Sequence, residues 1–151
     1  MNGTDVVALA GRRIRVVPLS LACCGVELAS GLRLVAQDAV ARAAATAEVG
    51  SADAEPVDLH VLVVAGTVTP GFLPAITAEW DELPDPKVAI GFGVCTLSGG
   101  PYWDSYAVIP GMATAPELPS NLTPFVRVPG CPPQPAALRA ALLLALEGAP
   151  A

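Results

Sequence analysis

An α/β layered fold with a mainly parallel sheet of about four strands is what the sequence predicts, on two observations. Short Val-rich apolar runs alternate with segments of helical periodicity, the pattern of strands joined through helices. The run at residues 58–65 is continuous rather than alternating, as expected of a strand covered on both faces.

The elements follow in order. Residues 13–19 are apolar, β-branched in part, and end at Pro18 to Ser20, which reads as a strand. From Val26 the spacing becomes helical: Leu28, Leu32, Val35, Ala39 and Ala43 recur every three or four residues and form one apolar stripe. Asp38 and Arg42 form an i,i+4 pair on another face. Residues 48–56 are small and acidic, a loop. The run at 58–65 is the second strand, 66–70 a turn, and 72–83 a helix starting near Pro74. A third buried strand spans 87–93. Residues 96–124 are rich in Gly, Pro, Ser and Thr and predict irregular chain with one short strand near 107–109. A fourth strand covers 125–128. A last helix spans 135–147, with Leu138, Leu142 and Leu146 on one face and Gly148 as its stop. No internal repeat is present, and residues 1–151 read as a single domain.

Charge and hydropathy narrow the function classes. Eight basic residues against 14 acidic ones give a net charge of −6, and the only basic group is Arg12, Arg13 and Arg15. Binding to nucleic acid needs clustered cations, so that class is excluded. Charged residues make up 15% of the chain and hydrophobic ones 53%, which leaves the surface short of polar cover. Such a chain either spans a membrane or is covered by other subunits. The longest charge-free stretch, 59–78, is broken by Gly66, Pro70, Gly71 and Pro74, which disfavours a bilayer helix. Residues 1–10 lack the basic region and apolar core of a signal peptide, so a cytoplasmic location with reduced thiols is expected. Burial among subunits is the favoured reading.

The chain contains four cysteines: Cys23, Cys24, Cys95 and Cys131. A free cysteine taken singly is most often a small buried hydrophobe. These four follow the first, third and fourth predicted strands, so three distant loops would converge on one edge of a parallel sheet, where sites form. Each is flanked by glycine or proline: Cys24-Gly25, Gly93-Val94-Cys95 and Gly130-Cys131-Pro132-Pro133. Such loops let backbone approach a cofactor closely, and their N–H groups can donate to sulfur. Four thiols fit one Cys₄ site with none left over. Structural zinc usually uses C-x₂₋₄-C pairs, which are missing here. A Cys23–Cys24 disulfide would be strained. The one histidine, His60, falls inside a predicted strand and reads as structural. Spacing therefore favours iron–sulfur over zinc without deciding between them.

Several segments together carry a resemblance. They are residues 21–27 (LACCGVE), 61–69 (VLVVAGTVT), 81–87 (DELPDPK), 93–100 (GVCTLSGG) and 128–133 (VPGCPP). In this order and spacing the chain resembles the B (PSST-type) subunits of NADH–quinone oxidoreductase, respiratory complex I. That family is shared with the small subunits of membrane-bound [NiFe] hydrogenases. The resemblance implies a flavodoxin-like fold and one [4Fe–4S] cluster ligated by Cys23, Cys24, Cys95 and Cys131. It implies single-electron relay to a quinone, as part of an enzyme without being a complete catalyst. Its partners would be a large catalytic subunit like the complex I D subunit or a hydrogenase large subunit, together with other iron–sulfur and membrane subunits. Its place would be peripheral, on the cytoplasmic side of the cell membrane. The tandem Cys23-Cys24 favours the quinone-reductase branch, since hydrogenase small subunits tend to have C-x-x-C there. Departures stand beside these matches: a short stretch before Cys23, residues 48–57 where an S-P-R-Q-like motif is common, and Pro70-Gly71-Phe72 where a Lys-Met pair is frequent. They spare the cluster ligands and bear on quinone reduction, leaving a hydrogenase-related complex, or a structural subunit with zinc or no metal, as alternatives. Glu27 matches a family glutamate beside the cluster; a helix N-terminal acid is the other reading. Gly66-Thr67 closes a strand and lines the same edge, or is simply a turn. Ser98-Gly99-Gly100 is a turn that folds the Cys95 loop over the cluster. Asp104 and Tyr106 read as partner-facing or solvent-facing, and Trp80 and Leu83 as core or interface.

Overall fold

The computed structural model describes residues 5–46 and 56–149, with the side chains of residue 5 and of residues 42–46 outside the description. The predicted acidic loop therefore lies outside the described residues apart from Pro56, as do the side chains of Arg42 and Ala43. The elements are β1 (Asp5–Leu9), β2 (Arg12–Ser20), α1 (Ala22–Thr46), β3 (Leu59–Ala65), α2 (Leu73–Glu82), β4 (Lys87–Phe92), α3 (Val94–Ser98), β5 (Pro124–Val128) and α4 (Ala137–Gly148). Two single 3-10 turns, Gly100–Tyr102 and Met112–Thr114, lie between α3 and β5.

The sheet has five strands in the order β1-β2-β3-β4-β5. Four of them, β2 to β5, run parallel, and β1 pairs antiparallel at the edge. The extra strand comes from a hairpin that hydropathy does not reveal. Its two turn residues, Ala10 and Gly11, have φ of 53° and 74°, the left-handed pair that a tight hairpin needs. The strand expected near 107–109 does not form. Ile109 instead donates its N–H to the Val68 carbonyl at 2.9 Å, one bond that pins the loop without making a ladder.

Helices cover both faces, and the result is consistent with a flavodoxin-like fold. On one face Leu28, Leu32 and Val35 of α1 and Leu138, Leu142 and Ala145 of α4 pack on Ile14, Val61, Val63, Ile90 and Phe92. On the other, Leu73, Ile76 and Trp80 of α2 pack on Val17, Leu62, Val64 and Ala89, with Met112, Leu118 and Leu122 filling out the layer. All seven residues of β3 are buried, as its continuous apolar run requires. Trp80 and Leu83 are core. Lys87 Nζ closes α2 by donating to the Trp80 and Leu83 carbonyls at 2.7 and 2.9 Å, while lying 4.8 Å over the Trp80 ring. Asp38 stands 3.4 Å from Arg139 of α4, tying the two helices of one face together.

The layering sets the site. After β2 the chain turns toward the face of α1, and after β3 toward the face of α2. Adjacent parallel strands whose connections leave on opposite faces open a crevice at their carboxyl ends, the usual location for a ligand in such sheets.

Candidate functional site

Each parallel strand delivers one turn to that end of the sheet. Cys23 and Cys24 follow β2, Gly66 and Thr67 follow β3, Cys95 follows β4, and Cys131 follows β5. The expectation that every thiol sits in a loop needs correction. Cys23 and Cys24 occupy the first turn of α1, which starts at Ala22 rather than Val26, and Cys95 lies in the short helix α3. Only Cys131 is in a loop. Ala22 at φ 54° makes the sharp bend from strand to helix. Leu21 N–H donates to the Ala65 carbonyl at 2.9 Å and so fastens the bend to the end of β3.

The thiols lie near one another. Gly93 has φ +101°, and a Cβ built on it would sit 2.5 Å from Cys24 Sγ and 3.6 Å from Pro133 of the Cys131 loop. A Cβ on Gly100 would lie 3.0 Å from Cys95 Sγ. Cys24 and Cys95 are buried, whereas Cys23 and Cys131 are exposed. Burial first, and then the neighbouring Cys23, Cys95 and Cys131, push the Cys24 thiol up to about 11. Cys95 is also raised, chiefly by burial; a hydrogen bond from the Thr67 side chain works the other way, and Cys131 and Cys23 add to the rise. Each buried thiol therefore feels thiols brought by distant elements. Among the described residues no group of three His, Cys, Asp or Glu closes tightly enough for a single metal ion.

Polar support comes from residues with little sequence signal. Thr96, fully buried, donates its hydroxyl to the Gly66 carbonyl at 2.7 Å, joining the end of β3 to the turn that holds Cys95. Periodicity assigns Thr96 only to irregular chain; its one visible signal is adjacency to a cysteine. Glu27 is half-buried, four residues beyond Cys23, and the first turn of α1 contains no acid, so the helix-dipole reading does not explain it. Asp104 is exposed and Tyr106 fully so. His60 lies near the start of β3, paired with Arg15 and Lys87 and far from the cysteine edge. It is buried with Nδ1 unpartnered, and burial, reinforced by Arg15, lowers its pKa.

The architecture is thus an α/β domain with four cysteines at the carboxyl edge of a parallel sheet. The family described as "NADH ubiquinone oxidoreductase, 20 Kd subunit" matches residues 22–145, and the chain belongs to it. It is 36% identical over 141 residues to the B 2 subunit of NADH-quinone oxidoreductase from Streptomyces griseus, covering 91% of this chain and 54% of that one. It is 41% identical over 129 residues to the corresponding B subunit from Clostridium beijerinckii, covering 84% and 68%. With the B 1 subunit from Salinispora tropica it shares 48% identity over 84 residues, covering 55% and 41%. The chain spans about half the length of most of the curated relatives it matches. Among solved structures it is similar to a chain of the membrane-bound sulfane sulfur reductase, an archaeal respiratory membrane complex. The TM-score is 0.50 at 30% identity, covering 58% of this chain and 46% of that one. No helix among the described residues is long and apolar enough to cross a membrane.

Proposed function

We propose that this chain is the electron-transfer subunit of a complex I-like membrane oxidoreductase, with Cys23, Cys24, Cys95 and Cys131 as ligands of one [4Fe–4S] cluster. It relays single electrons to a quinone at the interface with a large catalytic subunit, and it sits peripherally on the cytoplasmic side. The observation that carries this is the placement of the four cysteines just after β2, β4 and β5, at the carboxyl edge of the sheet, in a chain of the 20 Kd subunit family. The donor set fits the group: four sulfurs, two buried and two open, with glycine where a Cβ would meet Cys24 Sγ. When bound, such a cluster supplies one-electron redox chemistry.

The chain's own residues do the rest. The four cysteines would hold the cluster as thiolates; burial raises the pKa of the Cys24 and Cys95 thiols, so those two thiolates would depend on the bound iron. Cys24 and Cys95 form the dry wall of the site, and Cys23 and Cys131 form its open lip, where a partner can approach. Relay needs no general acid or nucleophile, in keeping with His60 lying at the opposite end of the sheet. A second reading keeps the relay but places it in a related complex whose acceptor is not a quinone, as the likeness to the sulfane sulfur reductase chain favours.

Protein purified anaerobically with its partner subunits should be brown and hold about four irons per chain. Cys95→Ser should abolish or convert the EPR signal of the assembled complex. Colourless, iron-free protein, or a spectrum untouched by the substitution, sinks the ligand assignment. Reoxidation of the reduced complex by added quinone separates the two acceptors.

A further inference from the structure

The turns that carry the cysteines are fastened to one another in series. Leu21 N–H donates to the Ala65 carbonyl at 2.9 Å, which joins the Cys23-Cys24 turn to the end of β3. Thr96 Oγ donates to the Gly66 carbonyl at 2.7 Å, which joins that same strand end to the Cys95 turn. Gly93 and Val94 N–H donate to the Val128 and Gly130 carbonyls at 2.8 and 3.0 Å, and so join the Cys95 turn to the Cys131 turn. The first and last links are backbone bonds, whereas the middle one comes from a side chain. Gly66 fills the space at that middle link. At φ +107° a Cβ on it would fall 2.5 Å from the Leu21 carbonyl oxygen, and that oxygen accepts Gly25 N–H at 3.1 Å where α1 begins. Gly66 therefore lies against the Cys23-Cys24 turn on one side and is bonded to the Cys95 turn on the other.

We propose that Gly66 and Thr96 are positioning residues for cluster binding, which together fix the gap between the Cys23-Cys24 turn and the Cys95 turn. The inference rests on the reading of these cysteines as ligands. The Gly66 backbone sets how near the two turns can come, and the Thr96 hydroxyl keeps them from drifting apart. Thr96 is fully buried and Gly66 is buried as well, so water has little access to replace a lost donor. Valine matches threonine in shape, so Thr96→Val opens no cavity and leaves the buried carbonyl without that partner. A binding constellation works only when its supporting contacts hold each member within about 0.5 Å. Loosening one of the three turns should therefore show first in how firmly iron is kept.

Iron release from the anaerobically purified complex into excess chelator tests this, read by the loss of visible absorbance beside the EPR line shape. Thr96→Val should release iron about tenfold faster than wild type, at the low end of what outer-shell substitutions cost in metal affinity. Its EPR lines should be broader, because a looser turn samples more ligand geometries. Thr96→Ser, which keeps the hydroxyl, should release at the wild-type rate. Ile76→Val, a loss of core packing in α2, controls for general destabilisation and should also match wild type. Thr96→Val at the wild-type rate overturns the proposal, as does Thr96→Ser or Ile76→Val releasing as fast as Thr96→Val. If Thr96→Val takes up no iron, iron content decides: wild-type loading of Thr96→Ser and Ile76→Val supports the proposal, and either one equally empty overturns it. Wild-type complex lacking iron overturns the ligand reading itself, a failure distinct from an unchanged release rate.

Discussion

At Gly93 the backbone conformation and the site geometry make the same demand. Its φ of +101° excludes ordinary L side chains, and the space where a Cβ would stand is taken by Cys24 Sγ at 2.5 Å. Gly93→Ala should therefore cost about 1–3 kcal/mol in backbone strain alone and push Cys24 out of place. The expected result is a lower urea midpoint and reduced iron content with the far-UV spectrum retained; wild-type iron loading would contradict it. That glycine flanks Cys95, and that ligand turns favour it, is legible in the sequence. That the crowding partner is Cys24 is not, because two turns from different strands meet only once the sheet has formed. Thr96 is visible only as the neighbour of a cysteine, and its hydrogen bond to the Gly66 carbonyl is not. Side-chain polar contacts across strands leave no periodic trace.

Helix stripes are readable at the scale of elements, and helix starts are not. Leu28, Leu32 and Val35 are buried as the spacing requires, as are Leu138, Leu142 and Leu146. The N-terminus of α1 lies four residues earlier than periodicity predicts, because nothing there resembles a cap and Gly25 looks like a loop residue. Gly25 serves packing instead: a Cβ on it would stand 3.0 Å from Ser20 Cβ, at the end of β2. The hairpin strand β1 escapes prediction because its turn uses Ala10-Gly11 rather than the usual Asn-Gly or Asp-Gly signal. Gly31 is a second packing glycine, with consequences for the site. Its Cβ position lies 2.7 Å from the Pro135 carbonyl oxygen and 3.1 Å from Leu138 Cβ, so α1 can approach the start of α4 closely. One of these elements bears Cys24, and the other follows Cys131. Alanine in a helix gains about 0.8–1.0 kcal/mol over glycine, but overpacking against a rigid carbonyl costs about 1–3 kcal/mol. The contact wins, and Gly31→Ala should lower stability in denaturant melts; a stabilised variant would show that the helices can separate freely.

The α/β layering is legible across the whole molecule because alternation of strand and helix is a property of long segments. The layer formed by Met112, Leu118 and Leu122 is not, since it buries its side chains from irregular chain whose composition reads as surface. Global stability should also respond to a group far from the thiols. His60 is pushed down from 6.5, first by burial and then by Arg15, against opposing effects of the Pro86 backbone and Asp85. The unfolded chain then binds a proton more readily than the native one. Stability is full above the unfolded value of about 6.5 and falls as pH drops through the lower folded value. Melts of wild type and His60→Leu at pH 7.5 and 5.5 should show the larger acid loss in wild type; equal losses would mean that His60 titrates alike in both states. The Ala10-Gly11 hairpin marks that same remote end, and Gly11 faces open space with nothing within 4 Å of its Cβ position. Because every cysteine hangs from the other end of the strands, that corner is a natural handle. A tether attached there would hold the domain against a surface with its cysteine edge turned outward, free for a docking protein.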